Sequence, residues 1–202
     1  MTATTVTAPR FPGAAAVAAF AWLALAAVLG ATGFFLRLPF PGAQVIILGL
    51  VAATLVAGLG SARLRAWIDG LPLQALIGIN ASRLVGIVFL ALGARGSLSP
   101  AFAGRAGWGD IAVAVSAIAL VAAGWGSSIT PARRAGLYVW NALGFLDLVV
   151  AVGTATIVTL QGTTPGVAPL LTFPLSLVPT FAVPLLLANH VFIFRRLGAH
   201  AA

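Results

Sequence analysis

The chain has 202 residues, of which 61% are hydrophobic and 7% charged, with a mean hydropathy of +1.11 and a net charge of +8. A soluble domain of this length cannot cover so much apolar side chain with polar surface, so the composition excludes an ordinary water-soluble protein and calls for lipid as the solvent. Cysteine, lysine and glutamate are absent, which excludes disulfides and thiolate chemistry, and the all-arginine positive charge points to anionic lipid headgroups rather than to nucleic acid.

Six apolar segments each come near the roughly 20 residues that a helix needs to cross the hydrocarbon. The first runs from about Ala14 to Leu36. Arg10 precedes it as in a signal peptide, but the apolar run is too long for that and a second span follows directly, so it reads as a retained helix. Its Ala15, Ala19, Gly30 and Gly33 suit close packing and make it the surface through which a membrane-protein partner could dock. The second span, Ala43 to Gly60, is the shortest. The third, Leu71 to Leu92, carries Asn80 and Arg83. Residues 93–109 then read as a long loop with Pro100, Phe102 and Trp108, either interfacial or re-entrant. In that reading Asp110 sits near the positive N-terminus of the fourth span, Gly109 to Ile129, as an interfacial charge or an entrance site. The fifth, Leu137 to Leu160, holds Asn141 and Asp147, and the sixth, Thr172 to Phe194, holds Pro174, Pro179, Pro184 and His190, with kinks expected at the prolines.

The expected fold is therefore all-α, a single polytopic domain of six transmembrane helices. With six crossings, Arg10, Arg63, Arg65, Arg133, Arg134, Arg195 and Arg196 share one side and Arg37, Arg95 and Arg105 the other. The excess of arginine places both termini in the cytoplasm.

Charge inside the spans is the functional signal. A charged residue at the centre of a membrane helix costs about 2.5 to 3.5 kcal/mol on insertion scales, so Arg83 and Asp147 call for partners or a purpose. Counted from the cytoplasmic end, Arg83 lies about 18 Å and Asp147 about 15 Å into their helices at 1.5 Å per residue. They can meet if the two spans are neighbours, either as an ion pair that fixes register or as a functional pair. Asn80, three residues before Arg83, shares its face. Asn141, His190 and Gln74 form a second polar layer nearer the cytoplasm, as helix glue or as ligand contacts. No HExxH, GxSxG or Walker sequence is present, only one histidine lies within a span, and no catalytic residue, metal ligand set or cofactor is implied.

Four stretches carry a resemblance: RLVGIVFLAL from Arg83, SLSPAFAGRAGWGD ending at Asp110, WNALGFLDL from Trp140, and PLSLVPTFAVPLLLANH ending at His190. In this order they resemble a family of uncharacterised bacterial multi-pass membrane proteins. The resemblance covers the C-terminal two thirds of the chain and takes in Arg83, Asp110, Trp140, Asn141, Pro179, Pro184 and His190. It implies a bacterial plasma-membrane protein and supplies no activity. Three functions stay open: a proton-coupled or channel-like carrier of a small polar or anionic ligand, centred on Arg83 and Asp147; a non-catalytic accessory subunit docking through the first helix; and a lipid or cofactor enzyme around Asn141 and His190.

Overall fold

Proline and glycine set most of the helix limits. In the computed structural model, which describes residues 12–127 and 129–199, the first helix α1 (Gly13–Ala31) follows Pro12 and stops before Gly33, whose φ of 68° favours a residue without a Cβ. Arg10 lies outside the described residues. Helix α2 (Gly42–Gly60) follows Pro41. The short α3 (Ala62–Gly70) begins where the Ser61 hydroxyl accepts from the Leu64 N–H at 3.3 Å. The third span is interrupted: α4 (Leu73–Gly78), a 3-10 stretch (Ile79–Val85) and α5 (Gly86–Ala94). Helices α6 (Pro100–Ala122) and α7 (Pro131–Leu160) both place proline in the first turn, where its missing N–H is no loss. A π-helical turn (Val178–Ala182) leads into α8 (Val183–Ala199).

Among the described residues there is no strand, and six helices are long and apolar enough to cross a membrane: Gly13–Ala31, Gly42–Gly60, Leu73–Ala94, Pro100–Ala122, Pro131–Leu160 and Val178–Ala199. Their outward faces carry Val17, Phe20, Val56, Val139 and Leu143, all largely exposed. In water each such side chain would forgo about 1.5 to 3 kcal/mol of burial, whereas acyl chains solvate it without that cost. The protein is thus an all-α multi-pass membrane protein in contact with the lipid bilayer.

The third span, α6, α7 and α8 form the inner bundle, with α2 packed on α8. Helix α1 is peripheral and is held by its C-terminal end and one side chain. Pro184 has no N–H to give the Thr180 carbonyl, and the Trp22 indole N–H of α1 takes that oxygen at 2.9 Å. The Phe173 N–H donates to the Gly30 carbonyl at 3.3 Å, and a Cβ on Gly30 would overlap the Ser176 hydroxyl. At the arginine-rich end, α3 buries Ile68 and is clamped to α8 by the ion pair of Arg195 with Asp69 and by Arg196 on the Asp69 carbonyl.

Several boundaries differ from the sequence reading: the first span ends at Ala31 rather than Leu36, the fourth at Ala122 rather than Ile129, and the sixth runs Val178–Ala199 rather than Thr172 to Phe194. The fourth span starts at Pro100 rather than Gly109, so the long loop contracts to residues 95–99, tied down by the Ser99 N–H on the Gly166 carbonyl at 2.9 Å. Gly107, within that stretch, is contact surface between α5 and α6. A Cβ on Gly86 of α5 would lie 2.5 Å from the Gly107 carbonyl of α6, and one on Gly107 would lie 2.7 Å from Leu90. The fifth span starts at Pro131 rather than Leu137, one and a half turns earlier, because Thr130 caps it by accepting from the Arg133 N–H at 3.3 Å.

Gly86→Ala must push two backbones apart and is expected to cost about 1 to 3 kcal/mol. Gly104→Ala, with nothing within 4 Å of the added carbon, is expected to leave stability unchanged. Thermal unfolding of the two variants in detergent separates them.

Candidate functional site

The break in the third span comes first, because it aims the site. Seven residues of 3-10 helix are a long run for that geometry, in which residues i and i+3 eclipse one another. Asn80 and Arg83 therefore project on one line, and both are buried, at 0% and 1% exposure. The Asn80 amide donates to the Leu76 and Ile77 carbonyls, each at 3.2 Å, and Asn189 of α8 donates to Leu76 at 2.9 Å. Asn80 thus serves the carbonyls of its own span and does not bond the guanidinium; its Oδ1 has no hydrogen-bond partner among the described residues.

Arg83 reaches two other helices. Its Nε donates to Asp110 Oδ1 of α6 at 2.7 Å, Nη1 to the Gly144 carbonyl of α7 at 3.0 Å, and Nη2 to Asp147 Oδ2 of α7. Glycine makes room for this fork. A Cβ on Gly109 would overlap the Asp147 carboxylate, so α6 lets the carboxylate lie against its backbone. The site holds one guanidinium and two carboxylates in a low-dielectric setting.

Asp110 corrects the sequence reading most directly. It is neither an interfacial charge nor close to a helix N-terminus, because α6 begins ten residues earlier at Pro100 and carries it into the bundle, where it is 5% exposed. The signal that could have placed it was Ser99 followed by Pro100, an N-cap and first-turn pair.

Asn141 and His190 form a separate brace between α7 and α8. The Asn141 amide donates to the His190 carbonyl at 2.9 Å, which turns its oxygen toward His190 Nδ1 at 2.7 Å. That arrangement puts the imidazole proton on Nδ1 and leaves Nε2 as a buried acceptor without a partner among the described residues. A Cβ on Gly144 would lie 2.7 Å from His190 Cε1, so the glycine whose carbonyl binds Arg83 also lets the imidazole approach. Gln74 is half-buried on α4 and bonds neither.

Two cavities converge on the ion cluster. The larger, of about 260 Å³, opens between the loop around Phe40 and the segment around Leu170 and runs inward past Phe89, Phe102 and Val152 to Asp110. The smaller, of about 230 Å³, lies on the other side of Asp110 and is lined by Ser82, Arg83 and Phe181. Asp110, Leu148, Val178 and Val183 border both. Neither cavity includes Asn141 or His190 in its wall.

A family model described as a domain of unknown function, DUF8737, matches residues 40–198. No curated protein and no solved structure matches the chain.

Removing the cation alone leaves two carboxylates buried against each other. Arg83→Met is therefore expected to cost about 3 to 5 kcal/mol, and adding Asp110→Asn and Asp147→Asn to recover most of the loss. Chemical denaturation in detergent micelles reads the difference. Asn141→Leu, which strips both groups of His190 of their partner, is expected to cost about 1 to 3 kcal/mol in the same measurement.

Proposed function

The chain belongs to the DUF8737 family, and we propose that it is a proton-linked, carrier-like protein of a bacterial plasma membrane whose working centre is Arg83 with Asp110 and Asp147. The arginine-rich end formed by α3 and the C-terminal part of α8 faces the cytoplasm in this reading, with both termini on that side. One observation carries the proposal: two carboxylates share a single guanidinium where two cavities meet.

Arginine keeps its proton in any protein setting, so only the carboxylates can change charge. One of them balances Arg83; the other needs a proton or a cation to remain in the bilayer interior. Asp147 is the switching member, since its side chain is 19% exposed against 7% for Asp110. The ionisable groups that face it are Arg83 and Asp110, with His190 beyond Gly144. A proton on Asp147 weakens its bond to Nη2 and loosens α7 from the 3-10 stretch of the third span, which is the irregular element able to relax toward α-helix. The charge count also favours a neutral or cationic ligand over an anionic one, because Nε, Nη1 and Nη2 of Arg83 are all engaged.

A second reading, an accessory subunit that docks through α1, is favoured by one observation. Helix α1 precedes the matched family region and is largely exposed along its length. The brace of Asn141 and His190 borders neither cavity, and no catalytic role is proposed for it.

Infrared titration of the protein in nanodiscs tests the proton switch. A carboxylic acid C=O band that rises and falls with pH is expected in the wild type and is expected to vanish in Asp147→Asn. Persistence of the same band in that variant would remove Asp147 from the role.

A further inference from the structure

We infer that the larger cavity is a binding site for an amine with a compact apolar body, its ammonium group directed at Asp110. The inference deepens the proton-linked reading by naming a ligand class for the same centre. It stands on the shape and lining of the cavity, the free edge of one carboxylate and the balance of fixed charge.

The cavity wall is apolar almost throughout, from Leu36 and Phe40 at the mouth to the buried Phe35, Phe89 and Phe102. Its polar groups are few. Thr156 and Thr159 spend their hydroxyl protons on the Val152 and Ala155 carbonyls at 2.9 and 2.8 Å, and Gln44 lies on α2 at the outer part of the wall. Among the described residues Asp110 is the one charged residue that borders the cavity. An apolar space of this kind gains little from water and binds apolar matter. A volume of about 260 Å³ exceeds the roughly 150 Å³ of an apolar cavity that takes a benzene ring, so a single ring with a short chain fits.

The inner end decides the head group. Asp110 uses Oδ1 to accept from Arg83 Nε, while Oδ2 accepts no hydrogen bond from the described residues. A ligand arriving along the cavity therefore meets a carboxylate oxygen before it meets the guanidinium, which lines only the cavity beyond. With both aspartates ionised the cluster carries one negative charge in excess, and an ammonium group cancels it. A ligand carboxylate would face Asp110 with like charge, and an alcohol would donate one hydrogen bond without cancelling anything. The ammonium and the proton of Asp147 thus serve the same charge deficit, so binding of one disfavours the other, as exchange of a proton for an organic cation requires.

The mouth lies between the loop that follows α1 and the segment before the π-helical turn, at the end opposite the arginine-rich one, with Leu36 and Phe40 half exposed there. An amine would enter from the outer side of the membrane in the orientation proposed above.

Calorimetry on the full chain in nanodiscs, corrected with empty nanodiscs, tests the site with three probes of similar size: 2-phenylethylamine, 2-phenylethanol and phenylacetate. The amine is expected to bind at least about tenfold more tightly than the alcohol, the scale of one hydrogen bond to a charged group, and phenylacetate not to bind. Ala155→Phe, or the milder Ala155→Leu, fills the cavity two turns from Asp147 along α7 and is expected to abolish amine binding. Asp110→Asn is expected to reduce the amine to the affinity of the alcohol. Equal affinity for amine and alcohol, or amine binding unaffected by both cavity-filling variants, would overturn the inference. Amine selectivity without a titrating carboxyl band would leave the site standing and defeat the proton switch; the band without amine selectivity would do the reverse.

Discussion

A guanidinium at 1% exposure in the middle of a membrane bundle imposes more on this protein than any other group. It cannot shed its charge, and its planar fork of donors must be filled from fixed directions. Asp110 of α6 and both Asp147 and the Gly144 carbonyl of α7 supply those directions, so three spans are held at one depth and one rotation. Apolar packing between membrane helices tolerates sliding and turning, because lipid solvates one apolar face as well as another. The ion cluster does not tolerate it, and register in the inner bundle follows from the cluster.

The irregular backbone of the bundle follows from similar constraints. The 3-10 run aligns Asn80 with Arg83, and the carbonyl at Leu76 is satisfied by two asparagine amides from different spans. Pro184 frees the Thr180 carbonyl, and Trp22 reaches across from α1 to bind it. Glycine appears where a side chain would separate the partners: Gly86 and Gly107 let α5 and α6 touch, Gly109 admits the Asp147 carboxylate, and Gly144 admits His190. Each departure from regular helix thus has a donor, an acceptor or a close approach beside it.

Much of the fold was legible in the sequence, because hydropathy and span length depend only on local composition. Six spans and an all-α architecture follow from that alone. The pairing of Arg83 with Asp147 was legible too, as two charges too costly to leave alone in the hydrocarbon, although the depth counted for Asp147 started at Leu137 and α7 begins at Pro131. What the sequence concealed was the third member of the cluster. Residues 100–109 combine proline, aromatics and three glycines, a composition shared by loops and by tightly packed membrane helices. Local composition cannot separate the two, and the choice decides whether Asp110 lies at an interface or ten residues inside a helix. Asn80 illustrates the opposite failure. Its face was legible, yet its partners depend on a local unwinding that no residue in INASRLV announces.

The brace of Asn141 and His190 clarifies why the cluster and the cavities belong together while the second polar layer stands apart. Both layers sit on α7 and meet at Gly144, whose carbonyl faces Arg83 and whose missing side chain faces His190. The layer nearer the arginine-rich end is neutral in its hydrogen-bonded form and buried at 0% exposure for both residues, so it closes the bundle on that side. The ion cluster, by contrast, borders open space on two sides through Asp110, and on one of them through Arg83, while Asp147 lines neither cavity. A polar group sealed on every side contributes specificity of packing, whereas one that borders a cavity, as Asp110 does, can meet a ligand. The boundary between the sealed layer and the cluster that borders the cavities therefore runs through a single glycine on α7.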